Sequence, residues 1–199
     1  METYSWSKLY PEHCSDEIIS VMISENVHIL WDEIPDATDF VDALACLHSE
    51  DSRRWLLDEF RDSRAGFNES YLKEYVEFFG ADEFFYQMLQ VADIKLSHDF
   101  LMNVLEIGVE EDDLPMLFGR YYGTFSGEEI EKLFDFYDVP DEYAKVFLSE
   151  RIEGELSYDQ IYTILDHADE KLYPLLRPFI KRLPFEKRMD LMDVFDIEL

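Results

Sequence analysis

The chain reads as all-α: stacked antiparallel helical hairpins forming an αα-repeat solenoid with a period of about 29–31 residues. Three observations predict this. Helix starts recur at near-constant spacing, and each is followed by a second helix that opens on acids. In addition, 7 Gly and 7 Pro among 199 residues are few for the tight turns of an all-β fold.

The helix starts carry the most information. Phe67-Asn68, Leu96-Ser97, Phe125-Ser126 and Leu156-Ser157 each place a large apolar residue before a polar N-cap. The residue four after each cap is aliphatic: Leu72, Leu101, Ile130 and Ile161. This is the hydrophobic staple, in which the residue before the cap packs on the fourth helical residue. Ser126 and Ser157 also have Glu129 and Gln160 three positions on, which completes a capping box. One turn further along the same face stand Val76, Leu105, Phe134 and Leu165. The caps are 29, 29 and 31 residues apart.

From the N-terminus, Ser15 caps an early helix with Cys14 and Ile19 in the staple positions, and residues 1–37 read as N-terminal capping helices. Helical hairpins then fill 38–182. Thr38 starts the first helix, and Ser49 caps its partner through Trp55, Leu56, Leu57 and Phe60. First helices of later hairpins end near Gly80, Gly108, Asp138 and Ala168, the two glycines suiting a left-handed stop. Second helices open on Asp82-Glu83, on Glu110, Glu111, Asp112 and Asp113, on Asp141-Glu142, and on Asp169-Glu170. A last helix, 183–199, begins at Leu183-Pro184-Phe185, with Pro184 tolerated in the first turn. No Ser/Gly/Pro-rich linker interrupts the chain, so 1–199 reads as one helical-repeat domain. The period and paired helices resemble ankyrin-type and other αα-repeat arrays. The Thr-Pro-Leu-His signature of ankyrin is absent, so no family is assigned.

Composition narrows the function. Forty-six acids against 17 bases give a formal net charge of −29, while 16 Phe and 12 Tyr separate the chain from disordered acidic tails. No apolar run is long enough for a membrane span, and the N-terminus has no secretory pattern. With only Cys14 and Cys46, thiols rather than disulfides are expected, which points to a reducing, cytoplasmic location. Direct nucleic-acid binding is disfavoured, because so negative a surface repels phosphates. Charge is uneven: residues 1–50 carry eleven acids against one base, whereas 151–199 carry eleven against seven, with a locally basic stretch over 171–188.

Catalytic and metal chemistry find no support. There is no phosphate loop, nucleophile elbow or zinc-protease motif. His13, Cys14, Cys46 and His48 have the right atoms for zinc but the wrong spacing, and buried thiols are the plainer reading. His98 and His167 have no nucleophile beside them. The chain is therefore expected to be no enzyme and to need no cofactor or metal. Most aromatics are expected in the core, with Tyr121, Tyr122 and Tyr137 near hairpin ends and open to solvent.

The repeating acidic turns remain. Acids near a helix N-terminus are favoured by the macrodipole at roughly 0.3–1 kcal/mol each. That accounts for two per helix, but not for the four consecutive acids at 110–113. Like charges so arranged oppose folding and suit encounter with a basic surface. Duplex DNA carries one charge per roughly 1.7 Å, so 29 charges correspond to a duplex of about 50 Å. The expected function is a non-enzymatic inhibitor, immunity or DNA-mimic protein, of anti-restriction or anti-CRISPR type. It would occupy the basic nucleic-acid-binding surface of a protein such as a nuclease. The alternative is a helical-repeat adaptor whose acidity serves solubility. The expected partner edge comprises Asp82, Glu83, Glu110, Glu111, Asp112, Asp113, Glu128, Glu129, Asp138, Asp141 and Glu142.

Overall fold

The computed structural model describes residues 2–63, 68–92 and 94–197. The chain is mostly helical, 65% helix in 13 helices among the described residues, with little sheet. Its contacts cluster into two compact units, Met1–Gly108 and Val109–Leu199.

The first unit runs β1 (Glu2–Ser5), α1 (Trp6–Leu9), α2 (Asp16–Glu25), β2 (Val27–Leu30), α3 (Ala37–Ala45), α4 (Glu50–Arg61), α5 (Glu69–Phe79), α6 (Glu83–Val91) and α7 (His98–Ile107). Strands β1 and β2 pair in parallel, from Glu2↔Val27 to Ser5↔Leu30, with α1 and α2 as the crossover. Residues 1–37 are therefore not helices alone. Four-residue strands are too short to show an alternating pattern, and their pairing is decided by a partner far along the chain. Ser15 does cap α2, accepting from the Ile18 N–H, above buried Cys14 and Ile19.

Helix α3 begins two residues earlier than expected. The carboxylate of Asp36 accepts from the Asp39 N–H at 2.9 Å, which leaves Thr38 inside the first turn. Aspartate is the stronger N-cap of the two. Ser49 heads α4, but its side chain makes no cap bond. The core of this unit is a chain of rings, Trp6 on Trp31 at 5.0 Å, Trp31 on Phe60 at 5.1 Å and Phe60 on Phe40 at 4.4 Å.

The second unit opens with a 3₁₀ turn, Glu111–Asp113. It continues through α8 (Leu114–Phe118), β3 (Phe125–Ser126), α9 (Gly127–Phe136), α10 (Asp141–Glu150), β4 (Ile152–Glu153), α11 (Tyr158–His167), a 3₁₀ turn Glu170–Leu172, α12 (Tyr173–Ile180) and α13 (Phe185–Phe195). Both capping boxes form: Ser126 with Glu129, and Ser157 with Gln160. The staple pairs Phe125/Ile130 and Leu156/Ile161 are buried in this unit, as are Leu96/Leu101 in the first. The fourth expected staple begins at Phe67, which lies outside the described residues. The short strands β3 and β4 pair in parallel.

Second helices are of two kinds. Helices α6 and α10 begin at the acids themselves, Asp82 being the N-cap of one and Asp141 the first residue of the other. The other two are entered through a 3₁₀ turn, because Pro115 and Pro174 lack an N–H and sit in the first turns of α8 and α12. The acids at 110–113 thus lead into a five-residue helix rather than lying on a long one. Pro184 precedes α13 as its N-cap instead of lying in the first turn. Gly80 and Gly108 end α5 and α7 with φ of 81° and 101°, but ψ of −176° and 134° puts both outside the left-handed helical region. Glycine alone takes that conformation freely.

Polar side chains tie residues about one period apart within each unit. Glu69 accepts from the Ser97 N–H at 2.8 Å and Oγ at 2.5 Å, 28 residues on. Arg151 donates to the Tyr121 carbonyl at 2.6 Å across 30 residues, and Tyr143 donates to the Pro115 carbonyl at 3.0 Å across 28.

Candidate functional site

Of the expected edge residues, Asp82 and Glu83 belong to the first unit and the other nine to the second. Asp82 is half-buried and held: it accepts from the Phe85 N–H at 3.0 Å and from the Tyr75 hydroxyl. Burial, with this carboxylate as the next cause, pushes the Tyr75 hydroxyl far above its usual range. Glu83 is exposed, accepts from the Gln87 side chain and has Arg54 at 3.7 Å.

In the second unit the acids fall into two groups at opposite ends of α9. Glu128 and Glu129 lie in its first turn, while Asp138, Asp141 and Glu142 follow its last residue. Ten residues at 1.5 Å each separate them by about 15 Å. Glu129 is committed to its capping box. The nine in the second unit therefore fall into two groups rather than along one edge. Sequence spacing equated the starts of first and second helices, and a hairpin puts those starts at opposite ends.

The second group does come together. The Asp138 N–H donates to Glu111 at 3.4 Å, which joins the 110–113 turn to the turn after α9. Asp141 is paired with Lys171 at 3.0 Å, and Lys171 also holds Asp169 at 3.0 Å. These bonds raise the Lys171 ammonium above its usual pKa. The side chains of Glu110, Asp112, Asp113 and Glu142 make no hydrogen bond or ion pair among the described residues, although the Asp113 N–H donates to the Glu110 carbonyl at 3.0 Å. The Asp113 carboxyl is raised above the normal range, first by partial burial and then by the charges of Asp112 and Glu110. This turn is a local excess of negative charge that pairs with no cation among the described residues.

Elsewhere acids serve the fold. Asp32 accepts from the hydroxyls of Ser5 and Ser7 at 2.6 and 2.5 Å and from the Ser7 N–H, and these bonds hold it well below the usual carboxylate range. Asp16 accepts from the His48 and Ser49 N–H groups at 3.0 and 3.1 Å. Glu59 binds His28 at 2.8 Å and the Ile29 N–H at 2.9 Å. The basic stretch is partly spent too, with Arg182 at 3.5 Å from Glu155 and Lys187 over the Tyr158 ring at 4.7 Å.

Among the described residues, no group of three or more His, Cys, Asp or Glu side chains is placed to hold a metal ion. Burial pushes the Cys14 thiol up to about 12, while Cys46 is exposed. No helix among them is long and apolar enough to cross a membrane.

The aromatics meet expectation only in part. Tyr121 is buried and donates to the Thr124 carbonyl, Tyr122 is exposed and Tyr137 half-buried. Two residues that sequence reasoning assigned to the core by default, Phe78 and Phe136, are 61% and 71% exposed. The available signal was position: both stand ten residues after an N-cap, beyond the buried +4, +7 and +8 positions.

Comparison with known proteins finds no matching family, no matching curated protein and no matching solved structure.

Proposed function

We propose that this chain is a non-enzymatic acidic binding protein that occupies a basic, nucleic-acid-binding surface of a protein partner, as an inhibitor, immunity protein or DNA mimic does. It would contact neither nucleic acid nor membrane directly, and its hairpins would stack as an αα-repeat. Bonds between residues about one period apart support the stacking. The observation that carries the function is the 110–113 turn. Its charges meet no cation among the described residues, and Asp113 is disfavoured as a carboxylate by partial burial and then by the charges of Asp112 and Glu110. A five-residue helix offers too little dipole to reward four acids. A basic partner surface would relieve this repulsion and be steered towards it.

The test is binding to a panel of purified nucleases and other nucleic-acid-binding proteins as salt is raised, with duplex DNA as competitor. Binding should weaken with salt and be displaced by the duplex. Neutralising the turn as a block (Glu110→Gln, Glu111→Gln, Asp112→Asn, Asp113→Asn) should slow association and flatten the salt dependence. A block variant that binds like the parent at every salt concentration would make the turn a solvated face. The adaptor reading would then take over.

A further inference from the structure

The first helices end in a repeated and unusual way. Nine and ten residues after the caps Asn68, Ser97, Ser126 and Ser157 stand Glu77-Phe78, Glu106-Ile107, Asp135-Phe136 and Asp166-His167. All eight are exposed. Phe78 and Ile107 close neighbouring helices of the first unit, where α5 packs on α7. Phe136 and His167 close neighbouring helices of the second, where α9 packs on α11 and His167 reaches Asp135 at 3.7 Å.

By its place at the helix end neither half of this doublet is favoured, although Glu77 reaches Lys73 of its own helix at 3.9 Å. The C-terminal end of a helix carries partial negative charge, so acids there are unfavourable and Lys or Arg would be preferred. Helices α5, α7 and α9 have no basic residue in the last turn. A single exposed Phe is unremarkable, but large apolar residues at one repeat position in both units are not scattered surface. Phe136 has open solvent on most of its surface, and near it lie Asp135, Asp138 and, through the Asp138–Glu111 bond, the 110–113 turn.

We propose that these doublets are contact elements, and that each unit uses its own pair to hold a basic protein segment in which apolar side chains are interleaved with Lys and Arg. Charge complementarity selects that occupant. An exposed apolar residue beside an acid, in a chain of net charge −29, repels an acidic amphipathic segment or an anionic membrane, and gives a purely polar basic surface nothing to cover. The inference rests on the reading above that the partner is basic, and adds that the contact has an apolar component that salt does not screen.

The test uses the full chain and two labelled synthetic peptides of equal length and charge, one with Lys and Leu in amphipathic helical spacing, the other with Gln replacing every Leu. Anisotropy is read at low salt and at about 0.5 M NaCl. The Lys/Leu peptide should bind about tenfold more tightly at low salt and keep measurable binding at high salt, while the Lys/Gln peptide loses its own. Phe78→Ser with Phe136→Ser should remove the tenfold advantage and leave Lys/Gln binding unchanged. Phe78→Leu with Phe136→Leu should retain most of it, which separates apolar contact from a folding effect. Equal affinity for the two peptides, or a double Ser variant with the parent's preference, would overturn the inference while leaving the basic-partner reading intact. Failure of both peptides to bind at low salt would count against that reading itself.

Discussion

Asp32 in the first unit and Asp113 in the second are the same side chain put to opposite uses. Asp32 meets two hydroxyls and a backbone N–H, so its charge is satisfied and its pKa falls. Asp113 meets partial burial and two more carboxylates, so its pKa rises. Glu59, Glu69 and Asp16 side with Asp32, closing hydrogen bonds between distant stretches of the first unit. Negative charge in this protein is thus of two kinds, one spent on its own backbone and one left over. Net charge counts both alike, although only the first is bound into the fold.

The largest expected effect is common to both units and sets the scale for the rest. Leu101→Ala and Ile130→Ala remove fully buried staple residues, and each should cost about 2–5 kcal/mol in chemical denaturation. A cost below about 0.5 kcal/mol at either site would mean that the staple is not a core contact there.

Next comes a carboxylate of the structural kind. Glu59→Ala leaves the Ile29 N–H and the His28 ring without their acceptor, and should cost about 1–3 kcal/mol. If it proves as neutral as Glu142→Ala, the division between structural and spare acids collapses.

The pH dependence sharpens the contrast because the two shifts have opposite sign. A carboxyl lowered on folding stabilises above its unfolded pKa and loses that contribution as pH falls through the folded value. Asp32→Asn should therefore lower Tm at neutral pH, with the difference from the parent vanishing in strong acid. For a raised carboxyl the contribution is favourable in acid and is lost as pH rises through the folded pKa. Asp113→Asn should accordingly raise stability at neutral pH by about 0.5 kcal/mol or less, and not at all below the usual carboxylate range. Matching profiles for the two variants would refute the distinction.

The smallest expected effect is screening. Moderate NaCl should raise the parent's Tm, and the block variant of the 110–113 turn should gain less from the same salt. An equal gain would place the dominant repulsion elsewhere in the chain.

What was legible in the sequence was local. A cap, its reciprocal Glu129 or Gln160 and the staple residue lie within six positions of one another, and helix geometry alone decides that they meet. Pro115 and Pro174 were visible too, yet their consequence was not, because a helix entered through a 3₁₀ turn and one entered directly share the same acids.

The sequence by itself determined the helical class, the caps at Ser97, Ser126 and Ser157, the buried faces that follow them and the surplus of acid. Tertiary structure alone decided that Glu2–Ser5 and Val27–Leu30 are strands, since a strand exists only where another supplies its hydrogen bonds. It also decided which acids are spare, because a carboxylate's state depends on donors brought from about thirty residues away, as Ser97 is to Glu69. The exposure of Phe136 was settled in the same way. Its apolar character favours burial, its place past the buried +4, +7 and +8 positions favours exposure, and the packing of neighbouring helices decides between them.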